Sequence, residues 1–129
     1  MEMKLDNIFQ MLEIGNKYAL TKFKECVNHF IKNNISEILK IEQFQSLDQS
    51  VVKFVVELNH EFSNPEELFE AVYKWAENLA LEKLVGDQSL TLNEEIKEYL
   101  LDILPFIKFK QMNYRFLLNY VGKFAVYKF

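Results

Sequence analysis

The sequence has little cysteine, glycine or proline: one, three and two residues in 129. The single thiol, Cys26, excludes an internal disulfide framework and favours a reducing compartment. Few glycines and prolines leave few turn signals, which favours helices joined by short polar links over a many-stranded sheet. No run approaches the ~20 apolar residues of a membrane span, and residues 1–6 are too polar for a signal peptide. We expect one intracellular helical domain, cytoplasmic or nuclear.

Positive charge is also in short supply. The net charge is −4, which argues against generic binding to nucleic acid or an anionic membrane. Residues 103–129 nevertheless carry five basic residues and no acidic one: Lys108, Lys110, Arg115, Lys123 and Lys128. The preceding 102 residues therefore hold 10 basic and 19 acidic residues, a balance of −9. Two interpretations stay open. The basic end faces the acidic helices and solvent, or Lys108, Lys110 and Arg115 form a patch for an acidic partner.

Apolar side chains are abundant. Half of the residues are hydrophobic, and 12 phenylalanines, six tyrosines and one tryptophan are among them. A chain of this length can bury a substantial core as one domain. Phenylalanine-rich composition of this kind favours a packed core over a stacking platform for nucleic acid.

Residues 64–79 form the clearest predicted helix. Asn64 is a suitable N-cap, Pro65 suits the first helical position, and Glu67 has capping-box spacing from Asn64. The apolar positions follow one helical face and widen it: Leu68, Val72, Trp75, Leu79, Phe69 and Ala76. So broad a face must be buried on more than one neighbouring helix. We expect Trp75, Phe69 and Val72 to anchor the core.

The remaining helices are predicted on either side. The spacing indicates a helix over about residues 5–18, with Gly15 placed for a close helix crossing, and a second helix capped by Thr21, with Cys26 among its inward residues. Ser36 is expected to cap a short third helix, and the β-branched run 51–56 is read as helix because its flanks are helical. Later helices are expected from Asn93 or Thr91 to Pro105, and from Asn113 to Gly122. The fold class is all-α, with about seven or eight helices in stacked antiparallel pairs.

No catalytic or metal-binding cluster is apparent. Cys26 has no base or orienting partner in sequence and is expected to be a buried small hydrophobe. His29 and His60 lack ligands at metal spacing. The acid pairs Glu66–Glu67 and Glu94–Glu95 lie near helix starts, where acids stabilise the helix dipole. We therefore expect no enzyme activity, no cofactor and no metal.

Several segments together resemble a known family. Residues 11–34 resemble the helical pair that closes a BTB domain, and residues 44–47, 67–75 and 101–109 resemble the BACK domain. The Phe69-Glu70-Ala71-Val72-Tyr73-Lys74-Trp75 segment is the most specific part, and Phe109 to Met112 fits the family's close. The resemblance covers about residues 7–121. The chain departs from the family pattern at several points. Lys108 stands where the family often has arginine, and Gly15 stands where alanine is usual. Residues 81–92 show no family signature, and the BTB core is absent.

The resemblance implies a scaffold without catalytic residues. Residues 1–34 would be the terminal BTB-type or first BACK helix pair, residues 35–122 the BACK-like domain with Phe109 as a further anchor, and residues 123–129 a tail. The family role is that of a BTB–BACK substrate adaptor for a cullin-RING ubiquitin ligase, dimeric through a BTB core outside this chain. The alternative is a dedicated protein-binding or self-assembly scaffold unrelated to ubiquitin ligation. Neither involves nucleic acid or membrane.

Overall fold

Seven α-helices make up most of residues 3–87, 89 and 91–119, which are the residues that the computed structural model describes. They are α1 (Ile8–Lys17), α2 (Thr21–Asn33), α3 (Ile35–Ile38), α4 (Gln49–Leu58), α5 (Pro65–Gly86), α6 (Leu92–Leu100) and α7 (Tyr114–Asn119). Short 3-10 turns cover Glu42–Ser46, Leu104–Phe106 and Phe109–Gln111. No strand occurs among the described residues, and the predicted all-α class is confirmed.

Helix α5 is the longest element and the centre of the packing. Its 22 residues extend over about 33 Å. The predicted cap is present, since Oδ1 of Asn64 accepts a hydrogen bond from the backbone N–H of Glu67 at 3.2 Å. The prediction ended this helix at residue 79, whereas the structure continues it to Gly86. Good helix formers such as Leu81, Glu82 and Lys83 explain the extension.

The core lies between α5 and the helices around it. The most extensive packing is that of α5 on α6, and α1 packs on α2. Trp75, Phe69 and Val72 are fully buried on α5, while α4 contributes Val52, Val55 and Val56. The β-branched run 51–56 is therefore helical, as predicted, and its valines are used as core.

The close crossing of α1 and α2 explains why residue 15 is a glycine. A Cβ atom at Gly15 would lie 2.9 Å from Cγ of Lys24 and 3.2 Å from Cδ1 of Phe23, both on α2. Contacts this short are not tolerated without movement of a neighbour. The close crossing inferred from the sequence is therefore present, and the glycine allows it.

The turn between α1 and α2 is strained at one residue. Ala19 has a φ of 52°, the left-handed region that favours glycine. The N–H of Leu20 donates to the carbonyl of Gly15 at 3.1 Å, which closes the end of α1 as in a Schellman motif. Alanine thus occupies the position where a glycine is commonest.

We expect Ala19→Gly to stabilise the protein by about 0.5–1 kcal/mol. Relief of the left-handed alanine conformation, worth about 1–2 kcal/mol, exceeds the extra entropy of glycine in the unfolded chain. Urea unfolding measures the change. Glu13→Gly, an exposed site inside α1, is the matched control and should lose about 1 kcal/mol. If both variants lowered the free energy of unfolding by similar amounts, the inference that Ala19 is strained would be wrong.

Two predicted caps, Thr21 and Ser36, are wrong, and in both cases the helix begins earlier than a cap at that residue requires. Thr21 is already inside α2, whose N-cap is Leu20 without a side-chain bond. Ser36 lies within α3, and its hydroxyl donates to Oε1 of Glu67 at 2.5 Å, joining α3 to α5. A distant carboxylate has replaced the local backbone N–H as its partner.

The later boundaries also differ in part. Helix α6 ends at Leu100, before Pro105, and residues 104–106 form a 3-10 turn around that proline. The cap at Asn113 is present, since its Oδ1 accepts from the N–H of Arg115 at 2.8 Å. The predicted end of the last helix at Gly122 and the tail 123–129 lie outside the described residues.

Candidate functional site

Trp75 joins α5 to two other elements. Its ring is completely buried, and its Nε1–H donates to the carbonyl of Leu47 at 2.8 Å. The ring of Tyr99 on α6 meets it edge-on, with centroids 6.0 Å apart. A buried indole that also satisfies a backbone carbonyl fixes the position of the link before α4 relative to the core.

Phe69 organises the C-terminal segment. Its buried ring meets Phe109 at 5.6 Å and Phe116 at 6.1 Å between centroids, both edge-on. Tyr73, one turn along α5, is tilted against it at 6.1 Å. Burial raises the pKa of the Tyr73 hydroxyl above its ordinary value, and the negative charge of Glu77 adds to that shift. Phe109, predicted as an anchor, is partly buried in this aromatic cluster.

The three predicted partner-binding residues lie close together along the chain. Lys108 is partly buried, while Lys110 and Arg115 are exposed. The ion pairs of the described residues are formed elsewhere, at Lys40–Glu67, Lys74–Glu70, Lys83–Glu95 and His60–Glu61. Lys123 and Lys128 lie outside the described residues. Among those described, the basic residues of this segment therefore do not pair with the acidic helices.

Two exposed apolar side chains lie beside these charges. Tyr114 and Leu118 are 73% and 59% exposed and stand one turn apart on α7. The sequence did not single them out. The signal was available, because Phe116 and Leu117 take the inward positions of α7 and leave residues 114 and 118 on the other side.

A second apolar cluster lies where α1 and α2 meet. Ile14, Tyr18 and Leu20 are all exposed, with Tyr18 at 61%. The ammonium of Lys17 lies 5.6 Å from the centroid of the Tyr18 ring, a cation–π distance. Ile14 and Tyr18 are one turn apart and off the buried face of α1, so spacing alone could have identified them.

Cys26 is exposed, so the prediction that it is buried is wrong. Val27 and Ile31, one turn apart, are the fully buried positions of α2. Cys26 immediately precedes Val27, and its thiol lies off that buried face. Nδ2 of Asn33 donates a hydrogen bond to Nε2 of His29 at 2.8 Å, and Nδ1 of His60 is hydrogen-bonded to the carbonyl of Glu57 at 2.9 Å. The described residues contain no group of three acids, histidines or cysteines placed to hold a metal.

Of the predicted acid pairs, Glu95 has an additional role. Its carboxylate is buried at the start of α6, and its Oε2 lies 2.8 Å from Nζ of Lys83 near the end of α5. The hydrogen bond to Glu95 and the attraction of its charge raise the pKa of the Lys83 ammonium above its ordinary value. The pair ties together the two helices that pack most extensively.

We expect Lys83→Met to destabilise the protein at neutral pH, because it leaves the Glu95 carboxylate buried without its partner. Lys74→Met is the control, since its pair with Glu70 at 3.6 Å is exposed and joins residues of one helix. Because the Lys83 pKa is raised on folding, the pair's contribution is complete below 10.5 and is lost as the pH rises through the folded value. The loss of stability caused by Lys83→Met should therefore become smaller as the pH rises through the folded pKa of Lys83. Equal melting temperatures for both variants at pH 7 would contradict this.

No described helix combines the length and the apolar character needed to cross a membrane. What the structure presents is a buried aromatic frame and two exposed apolar clusters, one of them beside unpaired basic residues. This arrangement suits contact with other proteins.

Comparison with known proteins identifies the family. A family model, BACK (BTB And C-terminal Kelch), matches residues 8–122. The chain belongs to the BACK family. The matched range contains all seven helices of the described residues, and the resemblance to the BACK family is confirmed.

This BACK chain is similar to curated proteins of much greater length. It is 28% identical over 118 residues to Kelch-like protein 13 of Bos taurus and of Homo sapiens, and to Kelch-like protein 9 of Mus musculus. These alignments cover 91% of the chain and 16–17% of the relatives, so the chain spans about one sixth of their length. No solved structure gives a significant match.

Proposed function

We propose that this chain is a non-catalytic protein-interaction scaffold, the BACK region of a BTB–BACK substrate adaptor for a cullin-RING ubiquitin ligase. The observation that carries the proposal is the BACK match over residues 8–122, with Kelch-like relatives. In this proposal residues 1–34 lie nearest the cullin, and residues 35–122 position a substrate-binding domain. The full-length adaptor would be cytoplasmic or nuclear and dimeric through a BTB core.

The α1–α2 pair offers a surface suited to the cullin. Ile14, Tyr18 and Leu20 are apolar and exposed together at its end. Gly15 and the hydrogen-bonded turn at Ala19 hold the two helices at close range, so this cluster is preorganised. Exposed apolar patches mark interaction sites, and tyrosine is enriched among binding hot spots.

The test is capture of a cullin by the full-length adaptor. Tyr18→Glu combined with Leu20→Glu should reduce capture by about tenfold or more, because charge replaces the apolar contact. Val85→Glu is the control, since Val85 is 87% exposed near the end of α5 and outside the proposed surface. Melting curves establish that the variants remain folded. Capture that is unaffected by the paired substitution would refute the cullin-facing assignment.

The alternative role is a dedicated protein-binding or self-assembly scaffold outside ubiquitin ligation. Lys108, Lys110 and Arg115, which form no ion pair among the described residues, and the exposed side chains of Tyr114 and Leu118 support it, because they lie outside the α1–α2 pair. A size measurement in solution with a partner screen separates the two roles. A strictly monomeric chain with no partner except a cullin would remove this alternative.

A further inference from the structure

We propose that α7 and the turn before it form a docking surface for a short acidic protein segment that carries apolar side chains. The basic α7 surface is defined by Lys110, Tyr114, Arg115 and Leu118. All four side chains are exposed. This inference does not depend on the cullin assignment, which concerns the opposite end of the described chain.

Charge supplies the first argument. Residues 103–119 contain Lys108, Lys110 and Arg115 and no acidic residue, in a chain whose net charge is −4. The ion pairs formed between described residues do not include Lys108, Lys110 or Arg115. The positive charge of this surface is therefore available to an incoming carboxylate, for which an arginine fork provides two parallel hydrogen bonds.

Apolar area supplies the second argument. Tyr114 and Leu118 stand one turn apart on α7 with Arg115 next to Tyr114, so apolar and positive groups share one surface. A partner that neutralised only the charge would leave both apolar side chains in water. Acidic residues interspersed with leucine or phenylalanine satisfy both requirements.

Rigidity supplies the third argument. The other side of α7 is held by the edge-on contact of Phe116 with Phe69, and the preceding turn is held by the contact of Phe109 with the same ring. The surface therefore loses little conformational freedom when a partner binds.

Competing occupants fit less well. Nucleic acid or an anionic membrane presents charge over a broad area and would meet the acidic remainder of the chain, whose balance is −9 over residues 1–102. A short peptide segment would cover a smaller area and meet less of that remainder. A second copy of the chain is a distinct occupant, and the experiment is designed to detect it.

The experiment measures fluorescence anisotropy of a labelled synthetic peptide with the purified chain. The probe alternates glutamate or aspartate with leucine and phenylalanine, and a second probe replaces the apolar residues with glycine. We expect binding of the first probe to weaken between about 0.05 and 0.5 M salt, and the glycine probe to bind about tenfold more weakly.

Matched variants localise the binding. Lys110→Glu with Arg115→Glu should weaken binding by about tenfold or more. Lys22→Glu with Lys32→Glu changes the net charge equally at two exposed lysines of α2 and should change binding by less than about twofold. Tyr114→Ser should weaken binding without changing the net charge. Melting curves confirm that each variant is folded.

Four results would overturn the proposal. They are no binding of the apolar acidic probe at low salt, equal weakening by the two charge-reversal pairs, equal binding of the glycine probe, and a dimer in sedimentation that Arg115→Glu dissociates. The last result would assign the surface to a second copy. The two proposals are tested separately. Lys110→Glu with Arg115→Glu should lose peptide binding and keep cullin capture, whereas Tyr18→Glu with Leu20→Glu should lose cullin capture and keep peptide binding.

Discussion

Replacing Trp75 with alanine is expected to lower the free energy of unfolding by about 3–5 kcal/mol, the usual cost of deleting a buried aromatic ring. The ring is fully buried, it meets Tyr99 on α6, and its N–H satisfies the carbonyl of Leu47. Alanine would leave a cavity between α5 and α6 and a carbonyl without its partner. Urea unfolding of the intact chain measures the loss.

Two further variants interpret that result. Trp75→Phe retains most of the buried ring but removes the bond to Leu47, so a smaller loss of about 1–3 kcal/mol is expected. Tyr114→Ala removes an exposed aromatic ring and should stay within about 0.5 kcal/mol of the unchanged protein. An unfolding curve for Trp75→Ala that coincides with that of the unchanged protein would refute the placement of Trp75 as an anchor.

The centre of the fold was predictable because its signals are local. Asn64, Pro65 and Glu67 specify the start of α5 within four residues, and the cap forms as expected. The 3.6-residue period gives most of the buried face of α5, but Ala71, Tyr73 and Ala80 are buried as well and Leu79 is only partly buried. The most specific part of the family resemblance, residues 69–75, lies in the same helix.

Other features depended on contacts distant in sequence and could not be derived in the same way. Ser36 is a residue type that commonly caps helices, but its hydroxyl donates a hydrogen bond to Glu67 of α5, 31 residues away. The orientation of α2, which buries Val27 and exposes Cys26, is set by the neighbouring helices. Helical spacing placed Cys26 on the apolar side because Phe23 and Phe30 broadened that side.

The candidate surfaces show the same division. Counting charges located an acid-free basic segment, but it could not say whether Lys110 and Arg115 pair with acidic helices. Among the described residues neither forms an ion pair, and two acids of those helices, Glu70 and Glu95, pair with Lys74 and Lys83. The exposure of Tyr18 and Tyr114, by contrast, could have been inferred from the sequence, because both residues lie off the apolar face of their helices.

Phe69→Ala is expected to cost about 3–5 kcal/mol, and its effect should be concentrated at the C-terminal end of the described chain. The Phe69 ring is fully buried and provides the edge-on contacts to Phe109 and Phe116 that hold the basic α7 surface. Each such contact adds about 0.5–1.5 kcal/mol beyond the area that it buries. Removing the ring therefore frees α7 before it disturbs the α1–α2 pair.

Hydrogen exchange resolves this distribution. In Phe69→Ala, amides of residues 109–119 should exchange faster, while those of α1 and α2 change little under conditions where the variant is folded. Phe69→Leu keeps much of the volume and is the graded control. The acidic probe should also bind Phe69→Ala more weakly, although residue 69 lies outside the basic α7 surface, because the surface is then no longer preorganised. Uniform acceleration across all helices would show that Phe69 supports the whole core and does not specifically hold α7.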